Sequence, residues 1–290
     1  MRDDATSRTA LVVALARGLA SEEVALSRVC QDPCVATLVP ESHARALRLV
    51  QRVGASRLVR TLSCGLVDHL ALRTALIDRA LTQGVSEGID QVVLLGAGFD
   101  ARVHRLSALA TCRVFEVDRP AMQEHKRDAA RSLPVLASAV TYVPCDFGRT
   151  TLAAALDEAG FDAARRTAWV WEGVTMYLTE QALRQTLADL DRCSADGSLL
   201  IASYLTPEIV AAGAGAARLA RRVFRRLGEP LRYTATPEAF AEVLAGAHFF
   251  VLNDAAPKDA APYYGVERQR PTSLTPRERI VVASKRGAPT

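Results

Sequence analysis

QVVLLGAGFD, residues 91–100, changes the texture of this 290-residue chain. A short, unbroken apolar run that stops at glycines is the pattern of a strand buried on both faces, as in a parallel sheet. Runs of the same kind recur at CRVFEVD (112–118), AVTYVPCD (139–146), TAWVWEG (167–173) and GSLLIASYL (197–205). Helical patterns fill the gaps, among them RPAMQEHKRDAARSL and TEQALRQTLADLDRC. Strands alternating with helices imply βαβ units, a parallel sheet and right-handed crossovers. Past Tyr204 the alternation loosens into a helical insertion from Pro207 to Leu227. A helix at Pro237–Ala247, a strand at HFFVLND and a last strand at RERIVVASKR follow.

Upstream of Gln91 the chain reads as helical. Thr9–Ala20 is apolar and rich in helix formers, and Pro33 interrupts at QDPC. Glu41–Val53 and Arg57–Thr82 then resume three- and four-residue periodicity, with a stop expected at Gly84. The organisation implied is an N-terminal helical cap over 1–88 and a Rossmann-like α/β core over 89–290. That core carries the helical insertion at about 206–228.

Hydrophobic residues make up 49% and charged residues 23%, and no stretch of eighteen apolar residues lacks a charge, so no membrane span is expected. The N-terminus MRDDATSRTA lacks a signal-peptide pattern, which points to the cytoplasm. The net charge of +4 is carried almost wholly by arginine spread along the chain, which argues against a nucleic-acid binder. One cluster stands out: Arg218, Arg221, Arg222 and Arg225 share a side of a helix in the 218–226 stretch. Such a face is ordinarily solvated; docking of an anionic substrate or carrier is the alternative. The six cysteines are scattered without paired zinc-site spacing, so reduced thiols are expected rather than a metal site or disulfide.

The chemistry gathers at strand ends. Gly96-Ala97-Gly98 follows the first run directly, where glycines let the backbone turn tightly and approach a ligand. About twenty residues on, the second run ends in Glu116-Val117-Asp118, placed to bind ribose hydroxyls beside that loop. Strand, glycine loop, helix, strand and acid in this order imply a nucleoside site. Gly96, Gly98 and Ala101 also satisfy the dinucleotide pattern, so a nicotinamide cofactor has to be weighed. Asp100 argues against it, because a carboxylate sits where a pyrophosphate would meet a helix N-terminus. S-adenosylmethionine (SAM) brings a sulfonium and an amino group and no phosphate, and suits an acidic loop better. Asp146 and Phe147 follow the third run, placed to hydrogen-bond and stack an adenine. Glu172-Gly173 ends the fourth, where open α/β sheets bind ligands.

QVVLLGAGFDARVHRL, VFEVDRPAMQEHKR and VWEGVTMYLTEQAL together resemble the leucine carboxyl methyltransferase family, in particular its bacterial branch of polyketide-type carboxyl O-methyltransferases. The resemblance runs collinearly from about Arg73 to Tyr204, and LRTALID (72–78) is similar to the family's R-T-x-x-I-D stretch. It implies a class I methyltransferase fold with a seven-stranded, mostly parallel sheet whose last strand is antiparallel. Carried over position by position, it implies that Arg73 binds the carboxylate of SAM. Gly96, Ala97 and Gly98, with Asp100, would line the methionine moiety, and Asp118 or Glu116, with Val117, would hold the ribose. Asp146 and Phe147 would flank the adenine. Glu172 and Gly173 would face the SAM amino group or the transfer site, with Tyr177 and Tyr204 as further candidates there; a core role is the alternative for Tyr177. Ala101 departs from the family's usual Thr or Ser, and Arg28 is the nearest candidate for a basic residue expected in the N-terminal region.

The reading implied is a SAM-dependent O-methyltransferase acting on a small natural-product carboxylate or hydroxyl. A carboxylate acceptor is already ionised at neutral pH and needs arginines to orient it, with Arg60, Arg102 and Arg105 available. A phenol would need a base, for which His69, His104, His125 and His248 are the residues in hand. The competing readings are a NAD(P)-dependent oxidoreductase and a protein that keeps a SAM pocket for another purpose. A protein carboxyl terminus is the alternative acceptor.

Overall fold

Along β1 (Gln91–Leu95) consecutive side chains leave on opposite faces: Val93 and Leu95 enter one buried cluster, Val92 and Leu94 another. A strand covered on both faces has no polar side, which is why its sequence is continuously apolar. The structure, a computed structural model, describes residues 7–146, 151–207, 230–266 and 277–286. The further strands are β2 (Arg113–Asp118), β3 (Ala139–Pro144), β4 (Thr167–Trp171), β5 (Leu199–Leu205), β6 (Phe249–Ala255) and β7 (Glu278–Lys285). Their order is β3-β2-β1-β4-β5-β7-β6. β1 to β5 pair in parallel, and β7 runs antiparallel to both β5 and β6. The expected seven-stranded sheet with its antiparallel last strand is present.

Helices α6 (Arg102–Arg105), α7 (Pro120–Ala130), α8 (Leu152–Glu158), α9 (Glu180–Arg192) and α10 (Pro237–Ala245) connect these strands. Their starts follow local chemistry. Thr151, Thr179 and Thr236 each accept the N–H three residues on, and Pro120 and Pro237 occupy first-turn positions that need no donor. Leu152, Leu183 and Phe240 from α8, α9 and α10 close one face of the sheet.

The N-terminal region forms α1 (Arg8–Glu22), α2 (Val35–Leu38), α3 (Glu41–Arg52), α4 (Ser56–Leu62) and α5 (Leu66–Ser86). Two boundaries differ from the sequence reading. The single helix expected over Arg57–Thr82 is broken where Cys64 and Gly65 take left-handed φ values of 52° and 83°. Gly84 does not stop α5, which continues to Ser86. A Cβ at Gly84 would lie 2.8 Å from Leu199 Cδ1, so this glycine serves the close approach of α5 to β5. Ile77 and Leu81 of α5 join the core beneath β1, while α1, α2 and α3 share a cluster with Phe99, Ala101 and Met122. The helical layer thus rests directly on the loop that follows β1. Most of the expected insertion at 206–228, including its arginine face, lies outside the described residues. Among those described, no helix is long and apolar enough to cross a membrane.

Candidate active site

The loop after β1 is folded across the end of β2. Gly96 and Ala97 both donate their N–H groups to the Val117 carbonyl, at 2.8 and 3.0 Å. Val117 therefore acts here through its backbone; its side chain is core. Gly96 and Gly98 hold φ values of 67° and 43°, and a Cβ on Gly96 would lie 2.6 Å from Val174 Cγ2. The Gly98 N–H donates to Asp118 Oδ2 at 2.6 Å, and Asp118 Oδ1 accepts from Arg119 N at 2.7 Å. Asp118 is thus held, half-buried, against the glycine loop. Glu116 lies two residues deeper on the same face, with no exposure, and pairs with Lys126 Nζ at 2.6 Å. Burial, only partly offset by Lys126, pushes its carboxyl up to about 7. The acid presented at the strand end is Asp118.

A buried ionic chain ties the remaining motifs together. Arg102, with no exposed surface, donates to Asp78 at 2.6 Å, to Glu172 Oε2 at 2.8 Å and to the Asp100 carboxylate. Arg73 meets Glu172 Oε1 from Nε at 3.0 Å and Glu278 Oε1 from Nη1 at 3.1 Å. Arg105 continues from Asp78 toward Asp32, which pairs with Arg17 at 2.9 Å. Burial opposes ionisation of Glu172, but Arg102 and then Arg73 outweigh it and hold the carboxyl well below the usual range. Asp100 is likewise held low, Arg102 being the largest influence against its burial.

Other candidates fall around this chain. Gly173 donates its N–H to Ser203 Oγ at 2.9 Å, directly after Glu172. Tyr177 is half-buried at the end of a short 3₁₀ turn, Thr175–Tyr177. Tyr204 is fully buried, stacks on Phe240 at 4.2 Å and donates its hydroxyl to Asp254 at 2.6 Å, contacts that tie β5 to β6 and α10. Asp146 is exposed just past β3, and Phe147 lies outside the described residues. Arg28 is exposed on the surface. The basic residue brought to the glycine loop is instead Arg17 of α1, whose Nη2 donates to the Phe99 carbonyl at 2.6 Å. Sequence reading missed Arg17, whose helix carries no motif, and Glu278, whose strand is remote from every motif. His104 meets the Pro134 carbonyl, His125 that of Leu38 and His248 the Asp191 carboxylate, whereas His69 meets Glu278.

A family model described as leucine carboxyl methyltransferase matches residues 10–191. The chain belongs to the leucine carboxyl methyltransferase family. Arg17, Arg73, Asp100, Arg102, Asp118 and Glu172 all lie within the matched span; Glu278 does not. A protein of Mycolicibacterium vanbaalenii is 35% identical over 187 residues, 62% of this chain and 61% of that one. One from Mycobacteroides abscessus is 33% identical over 208 residues, covering 69% and 65%. A third, from Mycolicibacterium smegmatis, is 32% identical over 262 residues, covering 88% and 85%. All three are named for S-adenosyl-L-methionine-dependent methyl transfer. The chain spans 61% and 65% of the length of the first two. Among solved structures, a DUF574 family protein of Streptomyces avermitilis superposes with a TM-score of 0.61 at 17% identity, over 92% of this chain and 97% of that one. That likeness shows the fold.

Proposed function

We propose that the protein is a SAM-dependent O-methyltransferase of a small natural-product carboxylate or hydroxyl. The observation that carries the reading is the charge of the buried ionic chain. Arg17, Arg73, Arg102 and Arg105 face Asp32, Asp78, Asp100, Glu172 and Glu278, four guanidiniums against five carboxylates with His69 set aside. A site with an excess of negative charge at the carboxyl ends of parallel strands favours a cationic ligand. It opposes a pyrophosphate. The helix after the glycine loop has only four residues, and the Asp100 carboxylate already accepts the Arg102 N–H that would greet a phosphate. Both features weigh against the NAD(P) reading.

The residues fit SAM as follows. Gly96, Ala97 and Gly98 form the cradle for the methionine moiety, and a Cβ at Gly98 would have Ala10 of α1 at 3.4 Å. Asp118 is the ribose ligand, in place of the sealed Glu116. Asp146, with Phe147, serves the adenine. Arg73 presents its donors to Glu172 and Glu278, so we assign it to holding Glu172 and give the SAM carboxylate to Arg17. Glu172 and Gly173 flank the transfer site, with Tyr177 nearby in sequence; Tyr204 serves packing. When bound, SAM supplies a methyl group already activated on a sulfonium. The protein aligns acceptor and donor and excludes water. An anionic substrate or carrier at the 218–226 arginines and a cytoplasmic location complete the proposal.

Calorimetric titration of SAM and, separately, of NAD(H) tests it, repeated with Asp118→Ala and Glu172→Ala. Micromolar binding of SAM alone, weakened at least tenfold by both substitutions, is the expected result. A folded wild type that ignores SAM would remove the reading. Tight SAM binding without methyl transfer to any small molecule or peptide carboxyl terminus would favour a SAM-pocket protein with another role.

A further inference from the structure

His69 and Glu278 lie 209 residues apart and meet in the interior, His69 Nε2 to Glu278 Oε2 at 2.8 Å, with 6% and 2% of their side-chain surfaces exposed. Glu278 opens β7 opposite Leu205, the last residue of β5, so it stands at the same edge of the sheet as the glycine loop. Apart from Arg17 of α1, the cofactor ligands proposed above lie on or just after β1, β2 and β3, with Glu172 just past the central β4. Glu278 and His69 therefore occupy the other half of that edge, the side left for the acceptor. Arg73 joins the halves, bonding Glu172 with Nε and Glu278 with Nη1.

The tautomer follows from the partner. Burial opposes ionisation of Glu278, but Arg73, followed by the His69 contact and a Ser203 hydrogen bond, holds its carboxyl below the usual range. A carboxylate can only accept, so Nε2 carries a proton, and in the neutral imidazole Nδ1 keeps its lone pair. Nδ1 makes no hydrogen bond among the described residues. Asp68, next along α5, turns to Arg60 of α4 at 2.9 Å, which also holds Glu23. The elements packed against α5 carry Arg8, Arg17 and Glu22 on α1, Arg57 and Arg60 on α4, Lys258 and Asp259 in the turn Pro257–Ala260, and Glu278, Arg279 and Lys285 on β7, with Arg73 on α5 itself and Glu172 after β4. A buried imidazole oriented by a carboxylate through one nitrogen, with the other nitrogen unbonded among the described residues, is the arrangement of a general base.

We infer that His69 is the catalytic base for a hydroxyl acceptor and that Glu278 is its positioning residue. This rests on the methyltransferase reading and narrows its substrate to a phenol or alcohol, because a carboxylate has no proton to remove at neutral pH. In the step, the acceptor hydroxyl proton passes to His69 Nδ1. The oxygen lone pair forms the new O–C bond, and the C–S pair leaves with sulfur as a neutral thioether. Glu278 stabilises the imidazolium through Nε2–H until the proton is released to water.

The test pairs His69→Gln with Glu278→Gln. Glutamine at position 69 keeps an N–H for Glu278 while deleting the basic nitrogen, so a purely structural tether survives it. Transfer of labelled methyl from SAM is measured to matched phenols and benzoates, with ¹⁵N NMR of the His69 ring on protein without SAM. The expected result is label in ethers. In His69→Gln, kcat falls at least about 100-fold, with KM for SAM and its calorimetric affinity within about threefold of wild type. The acid limb of the pH–rate profile is lost in His69→Gln and changed in Glu278→Gln. Label confined to esters, no hydroxyl accepted by a SAM-binding protein, an unchanged rate in His69→Gln, or an Nδ1–H tautomer would each overturn the inference. Absence of SAM binding would instead remove the reading beneath it.

Discussion

Arg102 Nη2 donates to Glu172 Oε2 at 2.8 Å across 70 residues of sequence, joining the start of α6 to the end of β4. The same guanidinium bonds Asp78 of α5 and Asp100, so one wholly buried side chain holds three carboxylates from three elements. A planar cation with five donors suits that geometry, and an ammonium does not.

Arg102→Ala therefore leaves three buried acids without their shared cation. It is expected to destabilise the protein by about 3–5 kcal/mol, the range for breaking a buried ion pair by removing one partner. Arg102→Lys recovers only part of that loss. Urea unfolding of the three proteins checks both statements.

Gly96→Ala meets two obstacles, a backbone φ of 67° and Val174 Cγ2 at 2.6 Å from the new Cβ. A loss of about 1–3 kcal/mol in stability is expected, with SAM affinity reduced at least tenfold. Adding Val174→Ala clears the contact and leaves the backbone strain, so the double variant regains stability only in part. Thermal unfolding and calorimetric titration read the two effects separately.

Glu116 makes stability depend on pH with a definite sign. Its carboxyl ionises near 4.5 in the unfolded chain and holds its proton to about 7 in the fold. Between those values the folded state binds more protons, so this group's contribution to stability falls as pH rises from 4.5 toward 7. Glu116→Gln, which cannot ionise, flattens that part of the profile. Denaturant midpoints measured from pH 5 to pH 8 on both proteins give the comparison.

Tyr204→Phe removes the hydroxyl that donates to Asp254 at 2.6 Å and keeps the ring that stacks on Phe240. Asp254 retains Arg279 at 2.8 Å. The expected cost is about 1–2 kcal/mol, seen as a fall of a few degrees in Tm.

The sequence by itself determined the sheet and the residues gathered at its carboxyl end. Buried parallel strands must be apolar on both faces, so β1, β4 and β5 announced themselves as continuous runs, and glycines at 96 and 98 marked the turn that a Cβ would obstruct. Family phrases marked Arg73 within α5, and Asp100, Asp118 and Glu172 at or just past strand ends. Only the tertiary structure decided what these charges do to one another. It turned Arg73 toward two protein carboxylates, sealed Glu116 beneath Asp118, brought Arg17 from α1 to the Phe99 carbonyl and set Glu278 on His69. Local pattern records whether a residue is buried and what its backbone must adopt. Which acid meets which base depends on how helices pack and on strand pairings such as Leu205 with Glu278, distances that no sequence window contains.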